Sequence, residues 1–330
     1  MTSEKLARSR PRSATMGLRN GPTAKRIPLA RNAITPNDSA THQPKNTPRV
    51  DIDAVNYSCV LAHVSNACRV LQSARRMRLI GMVHVAPLPG SPRWDGSMHR
   101  VVAAAVADAR ALIEGGMDAL LIENHGDTPF TPGRVEPATV AALAVVAHEV
   151  RSALPGATLG INVLKNDARS ALAVACAVGA RFIRVNVHAG AVVADQGLVQ
   201  SDAYHTLRDR RLLGADVKIF ADVGGKHATP LAPVDLELHA RDLRHRGLAD
   251  GLVVSGPATG AATSIADIKR VRGAVPDVPL LVGSGATPDT AAELLSIADG
   301  LIVGTALKRN GDIASPVDPE RVRRLVAAAR

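Results

Sequence analysis

The chain has 330 residues, of which 46% are hydrophobic, 21% charged and only 2% aromatic, an ordinary composition for a globular protein apart from the few aromatics. The net charge is +10, but residues 1–77 carry 13 Lys and Arg against 4 acids, so the remainder is close to neutral. A near-neutral domain with few aromatics does not indicate nucleic-acid binding. No run of about 18 apolar residues occurs, which excludes a predicted membrane span.

The first 76 residues are rich in Arg, Ser, Thr, Pro and Asn and lack apolar periodicity. Such a segment buries too little surface to offset its ordering entropy, so it predicts a disordered basic arm. Two explanations stay open: a targeting segment, favoured by the Arg and Ser bias, or a mis-assigned start, favoured by Met77 before the first strand. The three cysteines lack zinc-site spacing and fit a reducing compartment, so we expect a cytoplasmic protein.

From Met77 onward one pattern recurs: an amphipathic helix, a Gly or Ala-Asp stop, a short Val/Ile/Leu run and a polar turn. A run of this kind is typical of a strand buried on both faces. Eight strands are predicted, at 78–84, 118–123, 157–162, 181–186, 217–222, 250–255, 279–283 and 299–304.

Eight such units over roughly 250 residues predict an α/β fold, a single-domain (βα)₈ barrel over residues 77–330. The competing architecture is an open doubly wound sheet, which usually has a GxGxxG motif after its first strand. The loop after His84 reads APLPGSP instead, so the pattern favours the barrel.

Polar side chains are predicted at the carboxyl ends of the strands, where barrels of this kind place their active sites. Five candidates for catalysis are His84, Glu123, Asp222, Lys226 and His227. Four candidates for binding substrate are Arg184 and the asparagines Asn124, Asn162 and Asn186, which could orient substrate hydroxyls. Glu123 and Asp222 could together hold a divalent metal ion. The alternative for each acid is a salt bridge to Arg184 or Lys226. His84 could instead be a rim histidine with a structural role, and the asparagines could be helix caps.

The last quarter of the chain predicts a phosphate site. Gly283-Ser284-Gly285 and Gly304-Thr305 each follow a strand and precede a helix, where backbone amides and the helix dipole favour an anion. The loop SGPATG could add Ser255, Gly256, Thr259 and Gly260 to this site. The alternative is that these glycines serve only tight turns.

The motifs that carry a resemblance are GMVHVAPLPGSP, EGGMDALLIENHGDTPF, LGINVLKNDARSALAVA, FIRVNVHAGAVVADQG, ADVGGKHA, VSGPATG, VGSGATPDT and DGLIVGTALKRNGDIASPVD. In this order they resemble the BtpA/SgcQ family, from about Met82 to Val317. The resemblance implies a (βα)₈ fold grouped with the ribulose-phosphate-binding barrels. It also implies either a link to photosystem I assembly or an enzyme that accompanies sugar uptake. ADVGGKHA departs from the family's expected ADVxVKHA at Gly225.

The primary hypothesis is therefore an enzyme that acts on a small phosphorylated, sugar-like metabolite by a lyase, isomerase or hydrolase reaction. No cofactor is specified beyond the metal considered above, and a homo-oligomer is compatible with the sequence. The alternatives are a non-catalytic assembly factor for photosystem I or another photosynthetic complex, and a sensor that binds a phosphorylated metabolite.

Overall fold

The computed structural model describes residues 77–225, 227–256 and 258–330, so the predicted arm over residues 1–76 lies outside the described residues. Eight parallel strands close into a barrel in the order β1-β2-β3-β4-β7-β9-β10-β11. They are β1 Leu79–His84, β2 Ala119–Glu123, β3 Thr158–Asn162, β4 Phe182–Val185, β7 Lys218–Val223, β9 Gly251–Val254, β10 Leu280–Val282 and β11 Gly300–Val303. The predicted (βα)₈ fold is confirmed, and each predicted strand agrees with its observed bounds to within one residue.

Helices follow the strands on the outside of the barrel. They are α1 Met98–Glu114, α2 Pro137–Ala153, α3 Ala168–Val178, α4 Ala203–Leu212, α5 Leu236–His245, α6 Ile265–Ala274, α7 Pro288–Leu295 and α8 Pro319–Ala329. Polar side chains begin several of them: Ser97 accepts from the Arg100 amide before α1, and Asp167 accepts from the Ser170 amide before α3. Gly179 ends α3 in the left-handed conformation, as the sequence pattern predicts.

Two phenylalanines fill the barrel interior. Phe182 on β4 and Phe220 on β7 are buried with their ring centroids 5.2 Å apart. A Cβ atom on Gly160 would lie 2.2 Å from the Phe182 ring, and one on Gly251 would lie 2.4 Å from the Phe220 ring. Glycine therefore stands opposite each ring because the ring occupies the space that a side chain there would need.

A small antiparallel sheet beside the barrel was not predicted. It consists of β5 Ala191–Ala194, β6 Gly197–Gln200 and β8 Ala228–Pro230, in the order β6-β5-β8. The strands come from the loops after β4 and β7, and Val192 and Val199 bury its inner face against Val187. These two loops are thereby tied to each other next to the carboxyl ends of the barrel strands.

A buried ion pair joins the first and last helical units. Lys308, after β11, donates to Asp108 of α1 at 2.5 Å, and the Val317 amide donates to the other oxygen of Asp108 at 2.8 Å. Lys308 is only 2% exposed. Within the residues that the structure describes, no helix combines the length and apolar character needed to cross a membrane.

Replacing Asp108 by Leu should lower the free energy of unfolding by about 3–5 kcal/mol, because the charge of Lys308 would stay buried without its partner. The double replacement Asp108→Leu and Lys308→Met should recover part of that loss, since no uncompensated charge is left although the buried Val317 amide still lacks its acceptor. Urea denaturation of the three proteins measures both effects. A single variant as stable as the wild type would show that the pair does not hold the ends of the barrel together.

A buried histidine predicts acid sensitivity. Burial lowers the pKa of His188, which is 1% exposed. The hydrogen bond between its Nε2 and the Gly247 carbonyl oxygen, at 2.8 Å, partly opposes this shift, as does Asp250, whereas Arg210 lowers the pKa further. Below about pH 6.5 the unfolded chain takes up a proton that the folded protein does not. The free energy of unfolding therefore decreases as the pH is lowered. We expect His188→Gln to show a smaller loss between pH 7.5 and 5.5 in urea denaturation. An equal loss would assign the acid sensitivity to other groups, such as His239, whose pKa is also lowered by burial.

Candidate active site

The carboxyl ends of the strands surround a cavity of about 230 Å³. His84 at the end of β1, Glu123 at the end of β2 and Arg184 on β4 line one side, and the loops after β10 and β11 line the other. A second cavity of about 550 Å³ shares Glu123, Arg184, His125 and Thr259 with the first. The two cavities therefore form adjoining halves of one barrel mouth.

An ion pair joins the adjacent strands β4 and β7 at this mouth. Arg184 donates from Nε to Asp222 Oδ1 at 2.8 Å and from Nη2 to Asp222 Oδ2 at 2.9 Å, and both side chains are at most 5% exposed. Arg184 also donates to the Ser255 hydroxyl at 3.2 Å, and Asn186 donates to Asp222 Oδ2 at 2.9 Å. The structure thus contains the salt bridge that the sequence left open as an alternative for Asp222, and both carboxylate oxygens accept hydrogen bonds.

Glu123 is the acid that faces both cavities. Its Oε2 accepts a hydrogen bond from Asn162 Nδ2 at 2.6 Å, and its side chain is 6% exposed. Asn162 is itself 1% exposed and is absent from the lining of both cavities. Asn162 therefore orients the Glu123 carboxylate by a hydrogen bond from the side that faces away from the cavities.

Three histidines stand around the mouth. The His84 and His125 rings lie 4.8 Å apart between centroids, and both line the smaller cavity. His227, which lines the larger cavity, has its Nε2 3.0 Å from the Thr259 hydroxyl and 3.1 Å from the Thr259 amide nitrogen. The rim therefore offers imidazoles to both halves of the mouth.

The glycines of the predicted phosphate site are required for two different reasons: a positive φ angle, or a lack of space for a side chain. Gly285 has a φ of +71°, and a Cβ atom there would lie 2.4 Å from the Ala262 backbone, so its turn alone demands glycine. Gly304 has a φ of −124°, and a Cβ there would meet His84 Cε1 at 2.7 Å. At Gly283 a Cβ would meet the Ser255 hydroxyl at 2.5 Å and lie 3.3 Å from Arg184 Nη2. At these two positions neighbouring side chains, including Val253 beside Gly283, occupy the space that a Cβ atom would need.

The larger half of the mouth contains Lys165, which is 8% exposed. Burial lowers the pKa of Lys165, and the nearby carboxylates of Asp195, Asp222 and Glu123 partly offset this effect. The same wall carries two buried amide oxygens, Asn186 Oδ1 and Gln196 Oε1, that accept no hydrogen bond within the described part of the chain. Asn186 donates its amide nitrogen to a carboxylate, which fixes the orientation of its oxygen.

Most of the predicted site residues meet at this mouth. The structure places around one or both cavities His84, Glu123, Arg184, Asn186, His227, Thr259, Gly260, Gly283, Ser284, Gly285, Gly304 and Thr305. Asn162, Asp222 and Ser255 do not line the cavities. Asn162 contacts the lining residue Glu123, and Asp222 and Ser255 contact the lining residue Arg184. Gly256 packs against the loop that follows it, since a Cβ there would lie 2.4 Å from the Ala261 carbonyl oxygen. Lys226 lies outside the described residues.

Asn124 is placed away from the cavities. Its amide nitrogen donates to Asp127 at 3.1 Å, its oxygen accepts from the Leu164 amide at 2.7 Å, and it is 1% exposed. The predicted contact with substrate is therefore replaced by a structural one, because both ends of the amide hold the loops after β2 and β3. No group of three His, Cys, Asp or Glu residues with metal-binding geometry occurs within 77–225, 227–256 and 258–330.

Several lining residues were not proposed as site residues by the sequence analysis, among them His125, Lys165, Asp195 and Gln196. His125 follows directly after Asn124, and Lys165 is the third residue after β3, so their position close to strand ends is a signal that could have found them. Asp195 sits in the turn between β5 and β6, a hairpin whose short strands gave no such signal.

Comparison with solved structures agrees with the fold. The tryptophan synthase alpha chain of Legionella pneumophila matches with a TM-score of 0.50 and 14% identity, covering 81% of this chain and 96% of that one. At this identity the similarity shows a shared barrel and nothing about activity.

Sequence relatives are much closer. The photosystem I biogenesis protein BtpA of Synechocystis is 45% identical over 76% of this chain and 87% of its own length. An uncharacterized protein of Thermococcus kodakarensis is also 45% identical, over 77% of this chain and 96% of its own length. The BtpA family model matches residues 75–330, the whole barrel. The chain is a member of the BtpA family, as its motifs predict.

Proposed function

We propose that this protein is an enzyme that acts on a small phosphorylated, sugar-like metabolite bound in the barrel mouth. The observation that carries the proposal is the lining of the mouth: a cavity with glycine-rich loop backbone on one side adjoins a cavity that contains acids, imidazoles and an amine. A purely structural barrel needs neither half, and buried groups of this kind are costly to retain.

Backbone from three loops supports the phosphate half. Between described residues, no backbone hydrogen bond engages the amides of Ser284, Gly285, Thr305 and Ala306, all of which line the smaller cavity. Gly260 faces them from the loop after β9, where a Cβ would lie 4.0 Å from the Thr305 side chain. Backbone amides in turns that lead from a strand into a helix can donate hydrogen bonds to phosphate oxygens.

The other half supports proton transfer on a hydroxylated substrate. Glu123 reaches both cavities and is held in place by Asn162, which suits a general acid or base. Asn186 Oδ1 and Gln196 Oε1 are acceptors that substrate hydroxyl groups would satisfy. Asp222, with both oxygens on Arg184, would position the guanidinium rather than move protons.

A second candidate function follows from the name of the Synechocystis relative, which refers to photosystem I biogenesis. A role of that kind would depend on a surface that binds another protein rather than on the barrel mouth. Leu212, Leu231 and Leu238 are large apolar side chains exposed on or near α4 and α5. Variants of the mouth that lose phosphate binding separate the two functions, because an assembly role would survive them.

Ser284→Asp should abolish phosphate binding, because a carboxylate would repel an anion at the amides that line the smaller cavity. A thermal-shift screen of the full chain against inorganic phosphate and sugar phosphates measures this. When the ligand concentration is a hundred times Kd, binding should raise the free energy of unfolding of the wild type by about 2.7 kcal/mol. Ser152→Asp adds the same charge at an exposed position of α2 away from the mouth and should keep the shift. A shift that survives in the Ser284 variant would contradict the phosphate site.

Glu123→Gln should separate binding from chemistry. The amide keeps a hydrogen-bonding oxygen for Asn162 but cannot exchange a proton, so the ligand-induced shift should persist while turnover of that sugar phosphate falls by about 10²–10⁴. Turnover is followed by ³¹P NMR of the phosphorylated compound found in the screen. Undiminished turnover would remove Glu123 from the chemistry.

A further inference from the structure

Lys165 is the one amine among the described residues that line the barrel mouth. Its side chain is 8% exposed and shares the larger cavity with Glu123, Asp195 and Arg184. Because Glu123 and Arg184 also line the smaller cavity, the amine lies in the half of the mouth next to the proposed phosphate site.

The backbone around Lys165 is held from several directions. The Leu164 amide donates to Asn124 Oδ1 at 2.7 Å. Asn166 donates from Nδ2 to the Val187 and Gln200 carbonyl oxygens and accepts the Val187 amide at 2.8 Å. Fixing both neighbours in this way restricts where the lysine side chain can extend, which is how catalytic groups are usually preorganised.

The surroundings suit a nucleophilic amine. Burial lowers the pKa of Lys165, so a larger share of the side chain is uncharged near neutral pH than for an exposed lysine. Glu123 and Asp195 stand in the same cavity and can carry protons. Arg184 supplies fixed positive charge but cannot lose a proton, so it cannot serve as the nucleophile.

We propose that Lys165 forms an imine with the open-chain carbonyl group of a phosphorylated aldose or ketose whose phosphate lies at Ser284 and Thr305. This inference rests on the proposed function and adds the reacting group and the substrate class. It rests on the position of Lys165 in the mouth, on its fixed backbone and on the acids beside it.

The step balances without a cofactor. The uncharged Lys165 amine attacks the carbonyl carbon, and the carbonyl oxygen takes up a proton to give a carbinolamine. Protonation of that hydroxyl and loss of the amine proton release one water and leave a carbon–nitrogen double bond. Glu123 or Asp195 can donate and recover these protons. The protonated imine then withdraws electrons from the neighbouring carbon, which is one way in which a lyase or isomerase of sugar phosphates can stabilise a carbanion.

Reductive trapping on the full chain tests the proposal directly. Pyridoxal 5′-phosphate carries both an aldehyde and a phosphate, and borohydride reduction makes its adduct with lysine permanent. Peptide mass spectrometry should locate the adduct at Lys165, with competition by inorganic phosphate. Pyridoxal, which lacks the phosphate, should label Lys165 about tenfold less at equal concentration, equivalent to about 1.4 kcal/mol. D-ribose 5-phosphate with cyanoborohydride should modify the same lysine.

Matched variants separate this inference from the phosphate site. Ser284→Asp should suppress labelling of Lys165, and Ser152→Asp should leave it intact. Lys165→Arg keeps the positive charge but forms no imine, so it should lose the adduct and keep the phosphate-induced thermal shift. Adducts confined to exposed lysines such as Lys269, or to Lys226, together with an intact thermal shift would overturn the imine and leave the proposed function standing. Absence of any phosphate shift in the wild type would overturn both.

Discussion

The geometry of the barrel mouth depends on one buried ion pair, Arg184 with Asp222. Two charges with at most 5% exposure are tolerated only when each is paired and its remaining hydrogen-bonding groups are satisfied. Ser255 and Asn186 meet that demand, so the ends of β4, β7 and β9 must keep a fixed separation. Both carboxylate oxygens of Asp222 are used by Arg184, whereas Glu123 lines both cavities.

Closure of a parallel barrel explains why the fold and most of the site could be predicted from the sequence. Strands buried on both faces give continuous apolar runs, and a parallel barrel brings all their carboxyl ends to one rim. Residues that follow such runs, from His84 to Thr305, therefore meet in space although they are distant in sequence. The pattern specifies which residues reach the rim but not which way each side chain turns.

That difference accounts for what the sequence did not reveal. Asn124 ends the same kind of run as Glu123 does, yet its amide is used by Asp127 and the Leu164 backbone. The hairpin of β5 and β6 has strands of only four residues, too short to give a clear alternating pattern in the sequence. Its strand β5 pairs with β8, which lies more than thirty residues further along the chain. Asp195 and Gln196 reach the mouth only because of that pairing.

The glycines of the last two barrel loops bear on the choice between a tight turn and a binding site. A turn explains Gly285, whose positive φ disfavours other residues, but Gly304 has a negative φ and Gly283 is not among the positive-φ residues. At both of these positions the missing side chain makes room for neighbouring groups, His84 beside Gly304, and Ser255 and Val253 beside Gly283. Glycine there keeps side chains and loop backbone close together within one small cavity, which is compatible with the proposed phosphate site and which turn geometry alone does not require.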